Sequence, residues 1–199
     1  MSTTFKVVGL DLAGVEKRPT GFCVIKGLTA ETSHVYTDIE ILARTVQASP
    51  QIVAIDAPLS LPPGRQSIEQ RKAEHLREAD KELLRRRIKF FPITLGPMRQ
   101  LTIRGMNLKK LLRLRQLRAI EVYPGGAQDV LGIPRKQKGL ENLKSGLERI
   151  GIEGLNSHMS DHELDAVTCA FVGKLFLEGK AVTYGVPERG IVMPVESSH

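Results

Sequence analysis

The chain has 199 residues, 41% of them hydrophobic, and carries 29 Lys and Arg against 22 Asp and Glu for a net charge of +7. This is enough apolar material for one domain with a sizeable core, which excludes a disordered chain. No apolar run nears the roughly 20 residues of a membrane span, and the two cysteines, Cys23 and Cys169, make no disulfide framework.

Residues 1–14 (MSTTFKVVGLDLAG) enter a strand-like pattern without the three-part order of a secretion signal, so a reducing cytoplasm is expected. Residues 5–11 (FKVVGLD) and 20–26 (TGFCVIK) are apolar and β-branched, with Gly14 and Pro19 marking the turn between them. A third run, His34 to Ile39, follows Gly27 closely enough to complete an antiparallel meander. A short helix is predicted over Glu40–Ala48, ended by Ser49-Pro50. IVAID at 52–56 is a continuous apolar run, as in a strand buried on both faces.

Pro58, Pro62, Pro63 and Gly64 then break the chain. The spacing of Ala73, Leu76, Ala79, Leu83 and Leu84 predicts a long helix from Ser67 to about Arg87. Pro92, Gly96 and Pro97 mark a loop, and Leu108–Leu117 reads as another helix. Ala119–Tyr123 has strand character and stops at Pro124. Helical pieces follow at 126–131 and 139–150, and a last helix runs from Asp161 to about Leu177. The expected fold is α/β. One domain over 1–199 would hold a mixed five-stranded sheet, a three-strand meander plus parallel strands, flanked by helices and carrying a basic helical insertion at about 60–118. The carboxyl ends of the first, fourth and fifth strands would open on one crevice.

Four acids stand in otherwise apolar segments: Asp11 in VVGLDLAG, Asp56 in IVAIDAPLS, Glu121 in AIEVYP and Asp165 in SDHELDA. Such carboxylates are costly unless a cation compensates them. Asp11 and Asp56 each end a strand, where a turn-capping aspartate looks the same. Glu121 lies inside a strand, a position where glutamate is depleted, or else faces solvent on an edge. Ser160-Asp161-His162-Glu163 is a capping box, which starts the last helix near Asp161. Asp161 and Asp165, four residues apart, then project from its apolar side. Asp161 also suits the first helical turn on macrodipole grounds alone. Hard oxygen donors with little histidine favour Mg²⁺ or Mn²⁺. Two such ions about 4 Å apart would activate a water and stabilise the leaving oxygen of a phosphodiester. His158 and His162 are candidates for proton transfer or metal binding.

The charge is unevenly spread. Between Arg65 and Arg118 there are 16 Lys and Arg against 5 Asp and Glu, an excess of 11. A polyanion such as DNA or RNA would find a concentrated surface there, with Arg77, Arg85, Arg86, Arg87, Arg104, Lys109, Lys110 and Arg113 as candidate contacts. A solvated Arg-rich helical insertion is the bland alternative.

With these motifs in view, the chain resembles the domain-of-unknown-function family 429, described as predicted nucleases of the RNase H-like fold. The matching pieces are GLDLAG (9–14), AIDAPLSLP (54–62), Arg77 to Asp80, IEVYP (120–124), DHELDA (161–166) and YGVPERGIVMP (184–194). The resemblance implies Asp11, Asp56 and Asp165 as metal ligands, Asp161 as a candidate fourth, and Glu121 as a ligand or the orienter of one. It makes Asp11, Asp56, Glu121 and Asp165 the expected catalytic set. Arg77 and Asp80 have no counterpart in the usual nuclease site and are compatible with a substrate that is not nucleic acid. Two other functions stay open: an actin-like-ATPase-type phosphotransferase, whose second glycine-rich loop is not seen here, and a non-catalytic nucleic-acid-binding module. Monomer and dimer are both compatible with the sequence.

Overall fold

Gly27, at a φ of +66°, lets Lys26 and Thr29 pair directly, so β2 (Thr20–Lys26) turns into β3 (Thr29–Val35) through a tight hairpin. The third strand therefore lies earlier than the expected His34–Ile39. Thr37, accepting from the Glu40 N–H, instead caps α1 (Asp38–Ala48). These features belong to a computed structural model, which describes residues 4–70 and 74–196.

β1 (Lys6–Asp11) pairs antiparallel with β2 and parallel with β4 (Ile52–Asp56), which pairs parallel with β5 (Ala119–Val122). A final hairpin, β6 (Ala181–Tyr184) and β7 (Ile191–Pro194), adds β7 parallel to β5. The sheet has seven strands in the order β3-β2-β1-β4-β5-β7-β6, not the five expected. The two added strands, four residues each, form this final hairpin.

The helix expected from Ser67 to Arg87 is only α2 (Glu78–Arg85). Arg77 is extended, with ψ at 165°, and its N–H donates to the Asp80 carboxylate, which starts the helix at Glu78. Residues 71–73, Ala73 of the expected stripe among them, lie outside the described residues. α3 (Gly96–Leu114) begins where a loop was expected, because a proline needs no hydrogen-bond partner in a first helical turn and Pro97 stands there. α4 (Pro124–Val130), a 3-10 turn at Lys136–Lys138, α5 (Leu140–Arg149) and α6 (Asp161–Leu177) complete the chain. The Ser160–Glu163 capping box starts α6 as expected.

Two cores sandwich the sheet. Val8, Leu10, Val53 and Ile55 meet Ile41 of α1 with Leu108 and Leu112 of α3. On the other face, Val7, Ala54, Ile120 and Val122 meet α6, with Leu143 and Leu147 of α5 beyond it. The basic segment feeds both cores: Ala79 and Leu83 of α2 join the α6 side, while α3 closes the other. Among the described residues no helix is long and apolar enough to cross a membrane.

α6 lies close on the sheet. Residues Leu164 to Gly173 are all buried, and the helix touches β1 and β2 where side chains are missing. A Cβ at Gly9 would stand 2.1 Å from the Ala166 carbonyl oxygen, and one at Gly21 would stand 2.0 Å from that of His162. Backbone cannot yield as a flexible side chain would. Gly9→Ala should therefore destabilise the protein by at least the about 1–3 kcal/mol of an overpacked core. A fall in the urea midpoint at unchanged slope would show it.

Candidate functional site

The register of the parallel pair β1–β4 sets Asp11 beside Asp56. Residues paired in this way point to the same face, and both belong to the face that α6 covers. Asp165 reaches them from α6 and is buried. Adjacent strands lie about 4.8 Å apart, and two carboxylates near that spacing repel by about 3 kcal/mol at an effective dielectric near 20. Accordingly, burial first, then Asp11 and Asp165, push the Asp56 carboxyl well above the usual carboxylate range. Burial likewise raises Asp165, with Asp11 adding to it against the opposing pull of Lys136.

Lys136 was not foreseen. Its Nζ donates to Asp165 Oδ2 at 2.9 Å and to Asp161 Oδ2 at 3.1 Å. Burial disfavours its charge, yet Asp165 and Asp161 outweigh burial and raise its pKa. The same lysine holds the Asp161 carboxyl below its ordinary value despite partial burial. The other oxygen of Asp165, Oδ1, accepts from Gln128 Nε2 at 2.8 Å, and that amide also donates to Thr168 Oγ1. His162 Nδ1 lies 2.6 Å from Asp11 Oδ2, a bond that raises the pKa of the imidazole. His158 is exposed, and among the described residues only its backbone N–H has a partner, Asn156 Oδ1. Neither Lys136, at the start of a three-residue 3-10 turn, nor Gln128, in GGAQDV, leaves a periodic signal in sequence.

Glu121 does not join this group. It is in register with Ile55, one residue short of Asp56, and so projects to the opposite face of the sheet. There its Oε2 accepts from the Leu59 N–H and from Arg77 Nη1, each at 2.8 Å. Arg77, expected to meet nucleic acid, is 5% exposed, with its Nε and Nη2 donating to Asp80 and its Nη1 also to Ser60 Oγ at 3.5 Å. Asp80 is buried at 1%. Burial raises Glu121 against the pull of Arg77. Arg104 is also buried, donating to Asp38, the Ala13 carbonyl and the Tyr36 carbonyl, and is no surface contact either. Of the other basic candidates, Arg85 pairs with Glu82, and Arg86 bridges Glu82 and Glu196. Lys109 donates to the Glu188 carbonyl at 3.3 Å, while Arg87, Lys110 and Arg113 are exposed. A cleft of about 550 Å³ opens between the β1–β2 turn and α3, lined by Gly14, Asp38, Arg104 and Asn107, and none of the four acids lines it.

Carboxylate oxygens suit Mg²⁺ or Mn²⁺. Among the described residues no three ligating side chains stand close enough to enclose an ion. Mg²⁺ requires no such cage, since one or two carboxylates, water and substrate phosphate hold it. Asp11 and Asp56, set side by side by the β1–β4 register, would supply that pair. Burial and neighbouring charges act on Asp56, while among the described residues no hydrogen bond or ion pair reaches its carboxylate. The residues present therefore fit the ion.

Arg77→Met leaves Glu121 and Asp80 buried without their cation and should cost about 3–5 kcal/mol in urea unfolding, as broken buried ion pairs do. The acid centre sets the pH response. Asp56 and Asp165 have folded-state pKa values above their unfolded ones, so stability falls as pH rises from the ordinary aspartate range through the raised values. His162, also raised, contributes stability at low pH that is lost in the same direction. The metal-free protein should melt higher at about pH 5 than at about pH 8, and saturating Mg²⁺ should flatten that slope.

No curated protein matches this chain in sequence. Two solved structures of RuvC from Thermus thermophilus resemble it distantly. One, in complex with a Holliday junction substrate, is 12% identical with a TM-score of 0.48, and the other is 13% identical with a TM-score of 0.49. Each alignment covers 96% of this chain and 99% of the other. The family described as "Protein of unknown function (DUF429)" matches residues 9–189, nearly the full length, so the chain belongs to the DUF429 family.

Proposed function

We propose that this protein is a metal-dependent nuclease of the RNase H-like kind, hydrolysing phosphodiester bonds of DNA or RNA. The observation that carries the reading is Asp11 abreast of Asp56 on parallel strands, with Asp165 brought over them by α6. This is the order of acids, first strand, fourth strand and late helix, that the sequence resemblance implies. A bound Mg²⁺ or Mn²⁺ would polarise the phosphate and acidify a water. Asp11 and Asp56 hold the ion, and Gln128 and Lys136 fix the rotamer of Asp165. Asp11 orients His162 through Nδ1, which leaves Nε2 on a side chain 39% exposed to pass a proton to or from solvent. The exposed Arg87, Lys110 and Arg113 supply phosphate contacts, which set register without reading sequence. Glu121 is left to the fold, as the anion that holds Arg77.

Labelled single-stranded, duplex and branched DNA and RNA, offered with Mg²⁺ or Mn²⁺, test the reading. Asp11→Asn and Asp56→Asn should each slow cleavage by at least about a hundredfold, the scale of losing one group that stabilises the transition state, while binding in a gel-shift assay persists. Binding without cleavage in the wild type would leave a nucleic-acid-binding module. Hydrolysis of nucleotides without strand cleavage would favour the phosphotransferase.

A further inference from the structure

The ammonium of Lys136 lies between two carboxylates of the acid centre, 2.9 Å from Asp165 Oδ2 and 3.1 Å from Asp161 Oδ2. Asp165 is 7% exposed at its side chain, with one oxygen on Lys136 and the other on Gln128. Asp161 shares the same ammonium. This lysine is not a loose surface cation. It follows Arg135, which is tied to Asp129 through two nitrogens and to the Tyr123 hydroxyl at 3.1 Å. Ahead of it Ile133 is 3% exposed and sits against Gly146 of α5, where a Cβ would come within 2.5 Å. The entropy of placing the ammonium is therefore largely spent when the chain folds. An ion entering between Asp165 and Asp11 would have to repel or evict it.

Charge balance points the same way. Asp11, Asp56, Asp161 and Asp165 against one ammonium and one divalent ion leave a single negative charge, which His162 beside Asp11 can offset. A second divalent ion would leave the centre positive before any phosphate arrived. The only one of these carboxylates without a hydrogen bond or ion pair among the described residues is Asp56.

We propose that Lys136 is a resident cation of the acid centre, fixed between Asp161 and Asp165, so that the centre takes one divalent ion, on Asp11 and Asp56. This rests on the nuclease reading for the presence of a metal, and it adds the number of ions and the residue that limits it. Lys136 then faces the phosphate with the positive charge that a second ion supplies elsewhere.

Counting ions tests this without any substrate. Mn²⁺ is titrated into the metal-free full-length chain, and free Mn²⁺ is followed by its paramagnetic resonance signal, with circular dichroism confirming the fold of each variant. The wild type should bind one ion and Asp56→Asn none. Lys136→Arg, which keeps the charge, should still bind one, and Lys136→Gln, which removes it, should bind two. Should Lys136→Gln fail to fold, Asp165→Asn decides instead: it should keep its single ion, because that ion sits on the strand pair. Two ions in the wild type, one in a folded Lys136→Gln, or none in Asp165→Asn would each overturn the proposal. No ion in the wild type would overturn the metal reading beneath it, an outcome distinct from the other three.

Discussion

Everything at the candidate site depends on how near α6 can come to β1 and β2. At Gly9 and Gly21 the helix backbone rests on strand backbone with no room for even one carbon between them. Ridges of larger side chains would hold a helix about 8–10 Å from its neighbour. Here the absence of side chains lowers α6 until Asp165 reaches the strand ends that carry Asp11 and Asp56. The apolar residues on both sides of α6 then bury it, and burial is what makes the grouped carboxylates costly without a cation.

The pleat of the sheet divides the charges into two systems. Asp11 and Asp56 are in register and face α6, whereas Glu121, level with Ile55, faces away. Each system has its own organic cation: Lys136 for the acids on the α6 side, Arg77 for Glu121 and Asp80. Their degree of closure differs. Arg77 is held by two carboxylates and the Ser60 hydroxyl and shielded from solvent, as suits a fixed joint between α2 and β5. Lys136 is 32% exposed, and its charge acts on Asp56, whose carboxylate has no hydrogen bond or ion pair among the described residues, as suits a place where something binds.

How much of this was legible in the sequence follows from the range of the interactions. β2, β4 and α6 were placed to the residue, because a continuous apolar run and a Ser160–Glu163 capping box are local signals. Gly96-Pro97 was misread as a loop, since the same pair that breaks a helix inside can open one. β6 and β7, a closing hairpin, were not among the expected strands. Arg77 and Arg104 looked like surface charge because their partners, Glu121 and Asp38, lie 44 and 66 residues away. The acids were found as a set from their apolar neighbours, but which of them share a face depends on strand register, and register is written across two segments at once.

The seam of glycines under α6 has an implication for genetics. Gly9 and Gly21 bear no reactive atom, yet on the proposed nuclease reading a random search for inactive variants would recover them beside the aspartates, because a methyl group at either position lifts the helix and separates its carboxylate from the strands. Loss of activity would then mark a spacer rather than a participant. Only a variant that keeps the native melting temperature would tell the two kinds of position apart.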